Sequence, residues 1–225
     1  KFVVENKCSL GVAYDGDGDR CLLVDENGNE IDGDKILAVI SNYLKKKGEL
    51  KKDTVVATVM SNLGLDIYCK NNNLSLEKTN VGDRYVLEEM LNKGYNLGGE
   101  QSGHIIFLDY NPTGDGILTS LMLIRSMVKY NKKASELASI IDIYPQVLVN
   151  AKVALDKKYL YKEDSEITKM IQEVEEKLKN EGRVLIRPSG TEPLVRVMLE
   201  GKNIDKITQY ANDIAQIIEK KSNLW

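Results

Sequence analysis

The chain has 225 residues, 42% of them hydrophobic and 29% charged, and a formal net charge of −3. That length suits one large or two small domains, and the charge excludes a general polyanion binder, since no basic face for nucleic acid can be found. No apolar run approaches the length of a membrane span, the first residues do not read as a signal peptide, and three scattered cysteines, Cys8, Cys21 and Cys69, fit a reducing cytoplasm.

Residues 1 to 32 read as strands. Leu10–Tyr14 leads into Asp15-Gly16-Asp17-Gly18-Asp19-Arg20, and Cys21–Val24 leads out to an Asn27-Gly28 hairpin turn. Three carboxylates packed so closely repel one another, and a cation is the simplest remedy. The glycines let the backbone turn so that the three side chains converge. An all-oxygen site with room for a phosphate or water suits Mg²⁺ better than zinc or iron. The alternative is an acidic, Gly-rich surface turn. An EF-hand is rejected because Arg20 stands where that loop needs glycine, and a strand follows instead of a helix. A start at Lys1 and a few strands with no helix of their own point to a piece of something longer.

From Asp34 the period changes. Ile36, Leu37, Ile40 and Leu44 form a helical stripe that Asp34 can cap and Gly48 ends. Thr54–Met60 reads as a buried strand, Ser61 as the cap of a helix through Lys70, Leu74–Thr79 as a strand, and Asp83 as the cap of a helix closed by Gly94. Ile105–Leu108 is a strand, Gly116–Lys129 an apolar helix, and Ser135 the cap of another. Strands alternating with helices predict an α/β layer domain with a largely parallel sheet over 33–145. Beyond Pro145, strand Val147–Leu155, helix Glu166–Asn180, strands Arg183–Ile186 and Leu194–Leu199 and helix Ile204–Lys221 predict a small α+β domain over 146–225.

Two further stretches carry chemistry. Arg187-Pro188-Ser189-Gly190-Thr191-Glu192-Pro193, with Arg196 following, offers two guanidinium forks, two hydroxyls and glycine amides, a set that matches phosphate. The alternative is a polar turn with solvated arginines. In Gly98-Gly99-Glu100-Gln101-Ser102-Gly103-His104, Glu100 and Ser102 point the same way if the loop is extended, which suits paired sugar hydroxyls. His104, the chain's only histidine, is either a strand residue or a catalyst.

DGDGDR, GGEQSGH and RPSGTEPLVRVMLEG, in this order, resemble the α-D-phosphohexomutase superfamily, and VGDRYV and TVMSNLGL look more like its phosphoglucosamine mutase branch than its phosphomannomutase/phosphoglucomutase branch. The resemblance implies an α/β enzyme of four domains, of which this chain holds the C-terminal part of domain 2 (1–32), domain 3 (33–145) and domain 4 (146–225). It implies Mg²⁺ on Asp15, Asp17 and Asp19, with Arg20 close by; Arg20, next to those acids, and His104, next to Glu100 and Ser102, are the catalytic candidates in the chain. It implies sugar hydroxyls on Glu100 and Ser102, and the non-reacting phosphate on Arg187, Ser189, Gly190, Thr191 and Arg196. The implied reaction interconverts glucosamine 6-phosphate and glucosamine 1-phosphate through a phosphoserine and a sugar bisphosphate, in the cytoplasm, with a homodimer as a candidate assembly. No serine here lies in the family's serine-loop context, so the chain by itself is expected to be inactive. A strand followed by Asp-x-Asp also resembles the aspartate-nucleophile phosphatases, where Asp15 becomes phosphorylated.

Overall fold

In the computed structural model, which describes residues 1–179 and 181–223, the chain forms two compact units, Lys1–Ile143 and Tyr144–Trp225. The first opens with a single-turn helix, α1 (Phe2–Glu5), where a strand was expected; four residues are too short to show a helical period. Strands β1 (Leu10–Tyr14), β2 (Cys21–Asp25) and β3 (Glu30–Ile31) then form an antiparallel sheet in sequence order. Tyr14 pairs with Cys21, so the six residues between them become the tip of a hairpin. The second turn is closed by the Asp25 carboxylate, which accepts the N–H groups of Asn27 and Asn29 at 2.9 Å each.

Helix α2 (Gly33–Lys47) is capped by Asp32, which accepts the Lys35 N–H at 3.0 Å. Asp34, the expected cap, is buried in the first turn, and its carboxylate accepts the Asn62 N–H at 2.7 Å. Strand β4 (Thr54–Thr58) is followed by α3 (Leu63–Asn71), whose cap is Asn62 and not Ser61. Strand β5 (Ser75–Thr79) leads to α4 (Asp83–Lys93), where Gly82 occupies the capping position and Asp83 is already helical. Asp83 still favours the helix by placing a negative charge at its positive end. Strands β6 (Leu97–Gly99) and β7 (Ile105–Phe107) form a hairpin ahead of α5 (Gly116–Tyr130), which Asp115 caps. Helix α6 (Ala134–Ala138) has Lys133 at its cap, and the expected cap Ser135 lies inside the helix and donates to Glu26 at 2.5 Å.

The larger sheet runs β5-β4-β6-β7, with β4 parallel to both neighbours and β7 antiparallel at the edge. Alternation along its strands serves two cores. Val55, Ala57, Ile105 and Phe107 pack with Ile36, Leu37 and Ile40 of α2, while Val56 and Ile106 pack with Val86 and Met90 of α4. Helices therefore cover both faces. Cys21, Leu23 and Ile31 of the small sheet lie in the α2 core, which fixes the hairpin tip relative to the larger sheet.

The second unit takes the expected order: β8 (Gln146–Lys152), α7 (Ser165–Lys177), β9 (Gly182–Pro188), β10 (Leu194–Gly201) and α8 (Ile204–Ser222). The predicted last residue of α7, Asn180, lies outside the described residues. All three strands are antiparallel, in the order β8-β10-β9, and Ile167 and Val174 of α7 pack with Ile207, Ala211 and Ile214 of α8 on Val195, Val197 and Leu199. Two single turns of 3-10 helix, Leu155–Lys157 and Leu160–Lys162, fill the connection from β8 to α7. Among the described residues no helix is long and apolar enough to cross a membrane.

Candidate functional sites

The β1–β2 tip brings its acids together. One carboxylate oxygen from each of Asp15, Asp17 and Asp19 lies within 4.8 Å of the others. Arg20 folds back on Asp15, its N–H donating to Oδ1 at 3.2 Å and its Nε standing 3.7 Å from Oδ2. Gly18, at φ +74°, offers its carbonyl to the Gly116 N–H at 3.0 Å, which ties the tip to the start of α5. A β-carbon on Gly116 would stand 2.7 Å from the Arg20 carbonyl, so only glycine fits there.

The electrostatics fit a cation. Burial, a hydrogen bond with Asp15 and the negative charges of Asp15 and Asp17 push Asp19 above the usual carboxylate range. Its Oδ1 is buried and has no hydrogen-bond partner among the described residues. Burial acts upward on Asp15 too, yet the Arg20 amide, Asp19 and the Arg20 guanidinium hold it below its ordinary value. Three oxygen donors with one orphaned are the donor set a hard divalent ion takes.

His104 is buried beside this tip, with Nε2 3.4 Å from Asp19 Oδ2. Neither ring nitrogen has a hydrogen-bond partner among the described residues. Gly114 makes room for the ring, since a β-carbon there would lie 2.4 Å from it. Glu100 and Ser102 do not lie in an extended loop. The Gly103 N–H donates to the Glu100 carbonyl at 3.0 Å, Gly103 takes φ +90°, and the segment is a tight turn between β6 and β7. The turn still delivers both side chains to the tip. A cleft of about 450 Å³ is lined by Asp19, Arg20, Glu100, Ser102 and His104, with Thr58, Met60, Val81, Gly82, Asp83 and Gln101 completing the wall. Glu100 Oε1 accepts the Gly82 N–H at 3.1 Å, which fixes its carboxylate at the rim. A larger cleft, about 640 Å³, lies elsewhere on the unit around Lys7, Lys132 and Lys133 and contains none of the acids of the tip.

In the second unit the arginine-rich turn joins β9 to β10, and Arg187 and Arg196 are direct cross-strand partners. Burial, and then the Arg196 charge, lower Arg187 from its ordinary value. Arg196 Nη2 meets Glu192 Oε2 at 2.9 Å, and the buried Ser189 accepts the Glu192 N–H at 3.2 Å. Nothing stands within 4 Å of where a Gly190 β-carbon would be, so that edge of the turn is open. Two participants escape a reading of the sequence. Glu192 is the internal counter-charge of Arg196. Lys158, only 6% exposed, donates to the Ser189 carbonyl at 2.5 Å and to that of Gly190 at 3.4 Å. A lysine in a Lys-Lys pair 31 positions upstream gives no signal of this role.

An acidic hairpin tip on an α/β/α unit, with a separate antiparallel unit carrying paired arginines, now has a class. The chain matches the model for "Phosphoglucomutase/phosphomannomutase, alpha/beta/alpha domain III" over residues 32–144 and that for the C-terminal domain over residues 148–217. It belongs to the phosphoglucomutase/phosphomannomutase family. It is 62% identical over 218 residues to the phosphoglucosamine mutase of Ruminiclostridium cellulolyticum, and 60% identical over 222 residues to that of Clostridium acetobutylicum. These matches take in 97% and 99% of this chain but 49% and 50% of the relatives, so the chain spans about half their length. In fold it is similar to the Aspergillus fumigatus N-acetylphosphoglucosamine mutase solved in complex with GlcNAc-6P and magnesium, with a TM-score of 0.73 at 21% identity over 94% of this chain and 48% of that one. A Burkholderia thailandensis family protein gives a TM-score of 0.74 at 19% identity, covering 99% of this chain and 48% of that one.

Proposed function

We propose that this chain is the part of a phosphoglucosamine mutase that holds metal, sugar and phosphate, and that the whole enzyme interconverts glucosamine 6-phosphate and glucosamine 1-phosphate through a phosphoserine and a sugar bisphosphate. In this reading residues 1–32 end domain 2, residues 33–145 form domain 3 and residues 146–225 form domain 4. The observation that supports it best is the meeting of Asp19, Arg20, Glu100, Ser102 and His104 on one cleft beside three clustered carboxylates. The identity of about 60% to phosphoglucosamine mutases supports the amino sugar.

Asp15, Asp17 and Asp19 would hold Mg²⁺, which when bound supplies positive charge to balance a transferring phosphoryl group. Arg20 adds a second positive charge at the same tip, and His104, beside Asp19, is the one imidazole available to move a proton. Glu100 and Ser102 take the sugar hydroxyls. Arg187, Ser189, Gly190, Thr191 and Arg196 grip the phosphate that does not react, and the binding energy released there orients the sugar.

The test is a chimera in which this chain replaces the matching half of the C. acetobutylicum relative. With Mg²⁺ it should turn over glucosamine 6-phosphate faster than the glucose or mannose phosphates, and Asp17→Asn should remove most of that activity. If glucosamine phosphate is the poorest of the three, the substrate assignment is wrong. The 225 residues alone should bind Mg²⁺ weakly and show no mutase turnover.

A further inference from the structure

We propose that Lys158 is the positioning residue of the arginine-rich turn: by holding the carbonyls of Ser189 and Gly190 it turns the amides of Gly190 and Thr191 outward as a seat for an anion. The inference rests on reading that turn as a phosphate grip, and it names the element that shapes the grip.

The argument begins with a buried charge. An ammonium has three donors and no acceptor, and burying one is costly unless it is well paired. Lys158 is nearly inaccessible, and among the described residues no carboxylate lies within ion-pairing distance of it. Its two acceptors are backbone carbonyls of the turn, at 2.5 and 3.4 Å. The segment that carries Lys158 is tied down by residues on either side of it. Tyr161 Oη donates to the Ile186 carbonyl of β9 at 3.2 Å, and Lys157 Nζ donates to the Ser222 carbonyl of α8 at 3.3 Å.

Peptide geometry supplies the next step. In a trans peptide the N–H points opposite the C=O of the same unit, and among the described residues there is no cis peptide bond. With the Ser189 and Gly190 carbonyls drawn toward Lys158, the Gly190 and Thr191 N–H groups face the other way. Among the described residues neither amide has an intramolecular acceptor, whereas the flanking Ser189 and Glu192 amides are both satisfied. Successive outward amides form an anion-binding concavity. The local charge agrees, because Lys158, Arg187 and Arg196 converge on a turn whose own carboxylate is Glu192 alone.

The test uses the ¹⁵N-labelled 225-residue chain with Lys158→Met and Lys158→Gln. Without ligand, the Gly190 and Thr191 amides should be ordered in the parent and mobile in Lys158→Met, a fall in order parameter from about 0.85 to below about 0.6. Titrated with inorganic phosphate, Lys158→Met should bind at least about tenfold more weakly, the least that a lost charge-assisted hydrogen bond predicts. Lys158→Gln, which keeps a donor without the charge, should fall between the two. If Lys158→Met does not fold, the glutamine variant carries the comparison. Parent-like order together with parent-like phosphate affinity in a folded variant overturns the proposal. If the parent chain itself binds no phosphate, the phosphate reading of the turn fails, and the order of the two amides alone then decides the role of Lys158.

Discussion

Gly33→Ala tests whether the turn that carries Glu100 and Ser102 is locked against α2. Gly33 is the first residue of that helix, and its N–H donates to the Gln101 carbonyl at 3.0 Å. A β-carbon there would stand 2.0 Å from the Glu100 carbonyl and 2.9 Å from both the Gln101 carbonyl and the Gly103 nitrogen. The Glu100 carbonyl would have to withdraw by about 1.4 Å to reach the 3.4 Å at which ordinary contact begins. All three obstacles are backbone, and the turn is held from its far side. The Glu100 N–H donates to the His104 carbonyl at 2.9 Å, and the Gly103 carbonyl accepts the Cys21 N–H at 3.0 Å. Overpacking of this kind costs about 1–3 kcal/mol, and the weakened Gly33–Gln101 bond adds about 1 kcal/mol. Helix propensity acts the other way, favouring alanine by up to about 1 kcal/mol. The net loss of about 1–4 kcal/mol should lower the calorimetric midpoint of the first unit by roughly 3–13 °C. An unchanged or raised midpoint would mean that propensity outweighs the clash, and the locked turn would have to be abandoned.

Two further outcomes follow from buried titratable groups. Burial pushes the Asp25 carboxyl up, but the Asn29 amide and side chain and the Asn27 and Gly28 amides outweigh it and hold the group below its ordinary 3.8. A carboxyl depressed on folding adds stability that is full above its unfolded value and is lost as pH falls through the folded one. The gap in urea midpoint between the parent and Asp25→Asn should therefore be widest near neutrality and close below about pH 4; a gap that stays constant down to acid would show that Asp25 is not held as an anion. Burial also raises the Cys21 thiol to about 11 and the Cys69 thiol to about 12, leaving Cys8 as the accessible one. Iodoacetamide at about pH 8 should alkylate Cys8 alone in the folded chain and all three in denaturant, because only thiolates react; peptide mapping that found Cys21 or Cys69 labelled at the Cys8 rate would contradict the packing.

What was legible in the sequence was whatever depends on period and local chemistry. The α2 stripe, the β-branched β4 and the β-α-β-β-α order of the second unit follow from side-chain alternation. Asp-Gly-Asp-Gly-Asp between apolar runs reads as a loop between two strands, and the pairing of Tyr14 with the buried Cys21 makes it a hairpin tip. Caps are not legible where two residues able to cap stand close together in the sequence. Asp34 could have capped α2 as well as Asp32, and what decides is that the Asn62 amide, 28 positions away, claims the Asp34 carboxylate. Alternation of Glu100 and Ser102 suits an extended loop, whereas Gly103 at positive φ makes the segment a turn. Lys158 left no trace, since burial of a charge by a distant turn is a purely tertiary event.

On the proposed reading of the arginine-rich turn, the salt link between Arg196 and Glu192 sets a threshold for entry. It is half-exposed, and pairs of that kind are worth little, so on that reading a dianion that engages both arginine forks displaces the carboxylate at small cost. On the proposed reading the tethered glutamate also works in reverse. It waits beside the seat as a ready substitute, so a departing sugar phosphate leaves behind a neutralised guanidinium, and release of product is easier than the strength of the grip alone would suggest.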